Sequence, residues 1–274
     1  MKKEYHLLLT FMPLPNLHIL EGGVGKHLQF TALFDALVDK YKSKLCLISA
    51  YPNLFKNDPR IASTALHNTI NLFDHSHVFF KNYENIIYND PYKSNFVKGD
   101  CHIIKYWAEM YEVEIDNIQP NFFIDKNKEK FLQNDILKLG KFILVQFTGG
   151  QGNKLNVYDR ENYGRNYKHG QEVINLIKEA IPEINIVVFG YDNEQDPLLN
   201  TTAYVDREDF MILAKHCISF ISIDSALQHM CANQSFNKKG IVLWGSSKHT
   251  MFGYEKNINL ISDYPYVVEI KPQK

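Results

Sequence analysis

A glycine-rich turn with a lysine and a histidine directly behind it lies near the start of the chain, at residues 21–27 (EGGVGKH). Glycines between a strand and a helix let the backbone approach a ligand closely and leave helix amides to face an anion. The segment is no P-loop, because Leu20 and His27 replace the glycine and the hydroxyl residue that this motif needs. Leu28 replaces the third glycine of a dinucleotide fingerprint. An anion-binding turn and a purely structural turn remain as the two interpretations.

A second polar group follows the apolar run 218–223, where Asp224 and Ser225 come first and His229 stands four residues after the serine. An apolar strand that passes into a helix through Asp-Ser predicts that both residues cap the helix, whose free amides form an anion pocket. Ser225 and His229 share one helical face. Taken alone, Asp224 and Ser225 would be interpreted as helix caps and His229 as a buried histidine. Taken together, the residues of this segment favour a ligand site.

No motif for a metal or a bound cofactor is visible, since the chain has no Asp-x-Asp motif and no His/Cys cluster with zinc spacing. Four cysteines without a CxxC pair lie in or beside apolar runs, namely Cys46, Cys101, Cys217 and Cys231. Their setting predicts reduced thiols in a cytoplasmic protein. A short apolar stretch broken by Pro13 is no secretory signal, and no apolar run reaches membrane-spanning length.

The composition is that of a globular protein, with 45% hydrophobic and 22% charged residues among 274. A formal net charge of -1 offers no global basic field for nucleic acid or an anionic membrane.

The elements that position these polar groups alternate between strand and helix in the first half of the chain. Either of the apolar runs 6–11 and 17–20 is the first core strand, and Asp100 is the expected N-cap of a helix over 100–111. The other predicted elements of this half are a helix over 26–41 and strands at 44–49, 78–80 and 86–88.

The second half repeats the alternation, with a glycine- and asparagine-rich loop over 148–166 and with Asp206 as the expected cap of helix 207–216. Further helices are predicted at 126–139, 168–180 and 224–233, and strands at 142–147, 184–189, 203–205, 218–223 and 240–243. This order predicts an α/β protein with two Rossmann-like domains, 1–135 and 136–274. Ligand sites in such sheets lie at the carboxyl ends of the strands, which here face the cleft between the domains.

The segments SIDSALQHMCA (222–232) and GIVLWGS (240–246) resemble the C-terminal signature of bacterial heptosyltransferases of glycosyltransferase family 9. That signature is a strand, Asp-Ser-Gly-x-x-His, a helix of small residues, a second strand and Phe/Trp-Gly-Ser/Pro. The segment GGVGKHLQFTAL (22–33) is similar to the family's opening turn and helix, and Lys168 to its phosphate-contacting lysine.

The resemblance implies a GT-B fold of two facing Rossmann-like domains and a metal-independent, inverting transfer of sugar from a nucleotide-sugar. The acceptor would bind to the first domain and the donor mostly to the second. The residues expected at the donor are Gly23, Gly25, Thr148, Gly149, Lys168, Asp224, Ser225 and His229.

Two residues depart from the family pattern: Ala226 replaces the usual glycine, and Lys26 stands where the catalytic aspartate is expected. Lysine is a poor general base near neutral pH unless its pKa is strongly lowered. Lys26 is therefore expected to hold donor phosphate or acceptor. The candidates for the base are, in order, Asp100, His27 and Asp90.

The sequence leaves several acceptors open: a glycan such as a lipid-linked or lipopolysaccharide sugar, a protein hydroxyl, or a hydroxymethylated DNA base as in some phage enzymes. The near-zero net charge disfavours nucleic acid. A non-catalytic module that binds a nucleotide or sugar is the rival outside the enzymes. A dinucleotide oxidoreductase is disfavoured, because Ala50 and Tyr51 stand where an acidic residue would follow the second strand.

Overall fold

The computed structural model describes residues 14–67, 83–91, 96, 101–149, 166–189, 198–204, 206–245 and 247–262. Within these ranges the chain forms two sheets in which every strand pair is parallel. The predicted α/β fold class is thereby confirmed. Two predicted elements, the strands at 6–11 and 78–80, lie outside the described residues, so that the run 17–20 is the first strand described.

The first sheet has the strand order β3-β2-β1-β4. Its strands are β1 (Leu17–Leu20), β2 (Leu45–Ser49), β3 (Ile61–Leu66) and β4 (Ile86–Tyr88). The two central strands, β1 and β2, are buried along their whole length, as expected of short apolar runs with helices on both faces. The edge strand β3 is half-buried and was not predicted.

The second sheet has the order β10-β9-β8-β5-β6-β7. Its strands are β5 (Phe142–Gln146), β6 (Asn185–Phe189), β7 (Thr202–Tyr204), β8 (Ser219–Ile223), β9 (Ile241–Trp244) and β10 (Ile258–Ile261). The fully buried β5 lies at the centre, and the largely exposed edge strand β10 was not predicted.

The helices among the described residues are α1 (Val24–Phe30), α2 (Phe34–Tyr41), α3 (Ile103–Met110), α4 (Lys126–Leu139), α5 (Gly170–Ala180), α6 (Arg207–His216), α7 (Ala226–Cys231) and α8 (His249–Phe252). The single helix predicted over 26–41 is wrong in one respect. A 3₁₀ turn, Thr31–Leu33, separates α1 from α2. The Thr31 hydroxyl donates to the Leu28 carbonyl at 2.6 Å and accepts from the Asn121 amide, so it competes with regular helix geometry.

Of the predicted helix caps, Asp206 is confirmed, Asp100 is wrong, and Ser225 has the predicted position without the predicted capping bond. Asp206 accepts a hydrogen bond from the Asp209 amide at the start of α6, as predicted. Helix α3 starts later than expected, and its cap is His102 rather than Asp100, which lies outside the described residues. Ser225 occupies the N-cap position of α7 but makes no side-chain capping bond.

The two halves of the molecule share one hydrophobic core, which includes Leu20 and Phe30 of the first half and Leu144 and Leu227 of the second. Helix α1 packs against α7 across the junction. The domain boundary at residue 135 stays a prediction; it falls inside α4, which packs on α6. No helix in the described ranges is long and apolar enough to cross a bilayer, and all four cysteines are free thiols.

Candidate functional site

The two polar segments singled out in the sequence meet where α1 and α7 begin. The glycine turn follows β1, and Asp224 and Ser225 follow β8. A Cβ atom placed on Gly25 would lie 2.6 Å from Cδ2 of His229 and 3.8 Å from Cα of Ala226. Because parallel strands bring their carboxyl ends to one edge, this junction joins the ligand-binding edges of both sheets.

Two of the three glycines of the turn have a structural requirement for glycine. Gly22 has a φ of +97°, and a Cβ there would lie 3.2 Å from Cδ of Lys26. Gly25 must lack a side chain because of His229. Gly23 has an ordinary extended conformation, and no atom lies within 4 Å of the position its Cβ would take. The turn therefore leaves open space at Gly23.

Lys26 lies under the turn, with a side chain that is only 8% exposed, and its Nζ is 3.7 Å from Oδ1 of Asp90. Burial lowers the pKa of Lys26, while the carboxylates of Asp90 and Glu21 act in the opposite direction. Asp90 follows β4, the neighbour of β1 in the sheet. The tertiary structure thus brings a carboxylate within ion-pair distance of the lysine that stands where the resemblance had led us to expect an aspartate.

His27 is fully buried beneath the same turn. Its Nδ1 is 2.9 Å from the Gly23 carbonyl oxygen, and its Nε2 is 3.1 Å from that of Leu20. Burial lowers the pKa of His27 to about 4. Both ring nitrogens are engaged by the backbone, so the geometry favours a role in holding the turn.

Sequence reasoning missed a second polar group at this edge, formed by Glu21, His67 and Tyr88. The Nε2 atom of His67 lies 2.6 Å from Oε1 of Glu21. The Tyr88 hydroxyl donates to Oε2 of Glu21, and this hydrogen bond raises the pKa of Tyr88 to about 12. The sequence feature that could have identified these residues is that each one ends or directly follows a strand. His67 was missed because it follows β3, which the sequence pattern did not predict.

On the second sheet, the end of β5 and the start of α5 bring three predicted donor residues into one region. Thr148 and Gly149 follow the strand closely, and Thr148 forms an antiparallel bridge with Asn166. The Tyr167 amide donates to the Phe147 carbonyl at 2.8 Å, so exposed Lys168 lies beside this segment. Residues 150–165 of the predicted loop lie outside the described ranges.

Gln146, a second residue that sequence reasoning missed, joins this region to α7. It is fully buried at the end of β5. Its Nε2 donates to the Thr148 carbonyl at 3.1 Å, and its Oε1 accepts from the Leu227 amide at 3.0 Å. The predicted Ser225 cap would have accepted a hydrogen bond from this amide. Asp224, at the end of β8, accepts a hydrogen bond from Nε2 of Gln228 at 2.9 Å.

His229 is 3% exposed and lies between α1 and the segment that follows α8. Its Nδ1 is 2.8 Å from the hydroxyl oxygen of Tyr254, and burial raises the pKa of that hydroxyl well above its usual range. The hydroxyl therefore keeps its proton and shares a hydrogen bond with Nδ1, while Nε2 is the ring nitrogen nearer Gly25.

The structure thus gathers most of the predicted site residues. Gly23, Gly25, Lys26, Asp224, Ser225 and His229 meet at the junction, with Thr148, Gly149 and Lys168 on the neighbouring strand end. His27 lies beneath the turn, and Asp100 lies outside the described residues. Among the residues that are described, no group of three or more His, Cys, Asp or Glu side chains could hold a metal ion.

Three solved structures have the same fold at low sequence identity. The ADP-heptose lipopolysaccharide heptosyltransferase II of E. coli is 13% identical, with a TM-score of 0.69 over 93% of each chain. A family 9 glycosyl transferase of Veillonella parvula is 11% identical, with a TM-score of 0.64 over 92% of this chain and 86% of the other. The E. coli heptosyltransferase WaaC, in a structure with ADP, is 10% identical, with a TM-score of 0.60 over 93% of this chain and 95% of the other.

No protein-family model matches the sequence, and no curated protein matches it either. The likeness to the three structures nevertheless extends over both sheets and nearly the whole chain. The chain therefore has the heptosyltransferase fold, with the two Rossmann-like halves of the GT-B type that the sequence resemblance implied.

Proposed function

We propose that this chain is a glycosyltransferase that moves a sugar from a nucleotide-sugar to an acceptor hydroxyl. The observation that carries the proposal is the contact of Gly25 with His229, which joins the glycine turn to the Asp-Ser-x-x-x-His segment. The E. coli structure with the highest of the three TM-scores is an ADP-heptose enzyme of the same fold. ADP-heptose is therefore the first donor to test.

The donor is proposed to bind at the carboxyl edge of the second sheet. Exposed Lys168 supplies a cation beside Thr148 and Gly149, where a diphosphate would gain from a fixed positive charge. As the bond to the sugar breaks, negative charge grows on the leaving diphosphate, so this charge stabilises the transition state more than the bound donor. Asp224 and Ser225 face the same edge from β8.

The acceptor is proposed to bind at the edge of the first sheet, beside the open space at Gly23. Its hydroxyl attacks the anomeric carbon from the face opposite the diphosphate, which inverts the configuration without a metal. Lys26, held near Asp90, would orient the acceptor or a donor phosphate. The choice of Asp100 as base stays a prediction. A glycan or a protein hydroxyl is the proposed acceptor class, and a cytoplasmic site of action is proposed with it.

The experiment is a binding and turnover series with ADP, UDP, GDP, TDP and CMP and their sugar conjugates. We expect calorimetry to find one tightly bound nucleotide and Lys168→Met to weaken it by about tenfold, the loss of one charge-assisted contact. Lys239→Met, at an exposed lysine before β9, is the matched control and should leave the affinity unchanged.

Two results would contradict the proposal in different ways. If none of the nucleotides binds, the donor site around Lys168 and Asp224 is wrong. If a nucleotide-sugar binds but releases no sugar to water or to any acceptor, the chain is the non-catalytic module instead.

A further inference from the structure

We infer that His67 takes the proton from the attacking hydroxyl and that Glu21 positions it, an inference that rests on the proposed function. The two side chains form a carboxylate–imidazole pair at the edge where the acceptor is proposed to bind. Nε2 of His67 and Oε1 of Glu21 are 2.6 Å apart. Neither residue was among the sequence candidates for the base.

The pair is held by its neighbours on the sheet. His67 directly follows β3, and its amide donates to the Ser49 carbonyl at 2.8 Å, which fixes its backbone to the end of β2. Glu21 directly follows β1 and has its second oxygen occupied by the Tyr88 hydroxyl. With both oxygens engaged, the carboxylate has a defined orientation toward the imidazole.

The carboxylates of this edge are less suited to be the base than the imidazole is. Asp90 is engaged by the buried cation of Lys26, whose Nζ lies 3.7 Å from its Oδ1. Glu21 already has both oxygens engaged, one by His67 and the other by the Tyr88 hydroxyl.

The other titratable side chains here are also poor bases. Burial lowers the pKa of His27 to about 4, and both its nitrogens face backbone carbonyls. Tyr88, with a pKa raised to about 12, keeps its proton. The His67 side chain is 13% exposed, and its Nδ1 has no hydrogen-bond partner within the part of the chain that the structure describes. Nδ1 is therefore the ring nitrogen that remains for the proton of an acceptor hydroxyl.

The acceptor oxygen forms a bond to the anomeric carbon, and its proton passes to Nδ1 of His67. The bond between the anomeric carbon and the diphosphate oxygen breaks, and its electron pair leaves with the nucleoside diphosphate. The Glu21 carboxylate accepts the Nε2 proton of the imidazolium in a charge-assisted hydrogen bond and so stabilises it. Imidazole is the side chain best matched to proton transfer near neutral pH.

The test measures ADP release from ADP-heptose, with water as the acceptor, together with ADP affinity by calorimetry. His67→Gln keeps a donor for Glu21 but cannot take the proton, so we expect kcat to fall about 100-fold or more with ADP affinity unchanged. His67→Ala should regain rate in proportion to added imidazole. Glu21→Gln should lower kcat by a smaller factor and gain nothing from imidazole, as a positioning residue would.

His216→Gln is the matched control, because Nε2 of His216 forms the same type of pair with Oε1 of Glu129, at 2.7 Å, away from the site. It should keep the wild-type rate. The inference is overturned if His67→Gln retains the wild-type kcat, if folded His67→Ala is inactive and imidazole does not restore it, or if Asp100→Asn alone abolishes turnover. If the wild type prefers another nucleotide-sugar of the series, the same variants are assayed with that donor. A wild-type protein that binds none of the nucleotides and consumes none of their sugar conjugates contradicts the proposed function itself, and the inference falls with it.

Discussion

Replacing Gly25 with alanine tests the junction on which the candidate site depends. The added methyl group would lie 2.6 Å from Cδ2 and 3.1 Å from Nε2 of His229, well inside van der Waals contact. The ring cannot move away easily, because it is 3% exposed and Nδ1 is bonded to Tyr254. Either the imidazole gives up that hydrogen bond or α1 shifts away from α7.

The change in the free energy of unfolding is the sum of one stabilising and two destabilising contributions. Alanine in a helix is favoured over glycine by up to about 1 kcal/mol. Overpacking a buried contact costs about 1–3 kcal/mol, and a lost hydrogen bond about 1 kcal/mol more. We therefore expect Gly25→Ala to lower the free energy of unfolding by about 2 kcal/mol, which lowers Tm by about 3–4 °C in a protein of this size.

The assay is thermal unfolding of four variants beside the wild type: Gly25→Ala, Gly23→Ala, His229→Ala and the double variant Gly25→Ala/His229→Ala. Gly23→Ala is the control, because Gly23 has an extended backbone and nothing within 4 Å of a new Cβ, so its Tm should stay close to that of the wild type. In the Gly25→Ala/His229→Ala double variant, the decrease in Tm should be smaller than the sum of the two single decreases, because removing the imidazole makes room for the added methyl group. Equal Tm values for Gly25→Ala and Gly23→Ala, or strictly additive losses, would show that the two helices do not meet as described.

Two further substitutions test a buried histidine and a buried ion pair. Burial lowers the pKa of His102 from 6.5 to about 4, so the unfolded chain binds a proton that the folded protein excludes, and stability falls as pH drops from 6.5 toward 4. His102→Asn, which can still cap the Ile104 amide, should reduce this slope by up to about 1.4 kcal/mol per pH unit in urea unfolding at several pH values; an unchanged slope would contradict the assignment. Arg60→Met leaves the buried carboxylate of Asp58 without its 2.6 Å guanidinium partner and should destabilise the protein by about 3–5 kcal/mol. Chemical denaturation should show part of that loss recovered in Arg60→Met/Asp58→Asn, and no recovery would mean that the pair is not the cause.

The central strands and several helices were predictable because their physical causes are local. β1, β2 and β5 are short apolar runs buried on both faces, a pattern visible in the chain itself. Helix α4 has the bounds expected from its charged, helix-forming composition, and α6 has the expected cap at Asp206. The glycine turn and the Asp-Ser-x-x-x-His segment were also recognisable, since each is contiguous.

The errors arose where neighbours in space outweigh local preference. The edge strands β3 and β10 lack a buried apolar run, because only their pairing with β2 and β9 makes them strands. Helix α1 ends early because the Thr31 hydroxyl is shared with a residue from a distant segment. His102 took the capping role expected of Asp100 because α3 starts later than its composition suggests.

By itself, the sequence indicated the glycine turn and the Asp-Ser-x-x-x-His segment as candidate sites and determined the α/β alternation that places them at strand ends. Which side chains meet was decided only by the tertiary structure: Gly25 against His229, Lys26 beside Asp90, and Glu21 beside His67, which the sequence pattern did not single out. Each of these pairs joins elements that are separate in the chain. Their meeting depends on strand order and helix packing, which are set by the burial of the whole core and not by the residues of either partner's own segment.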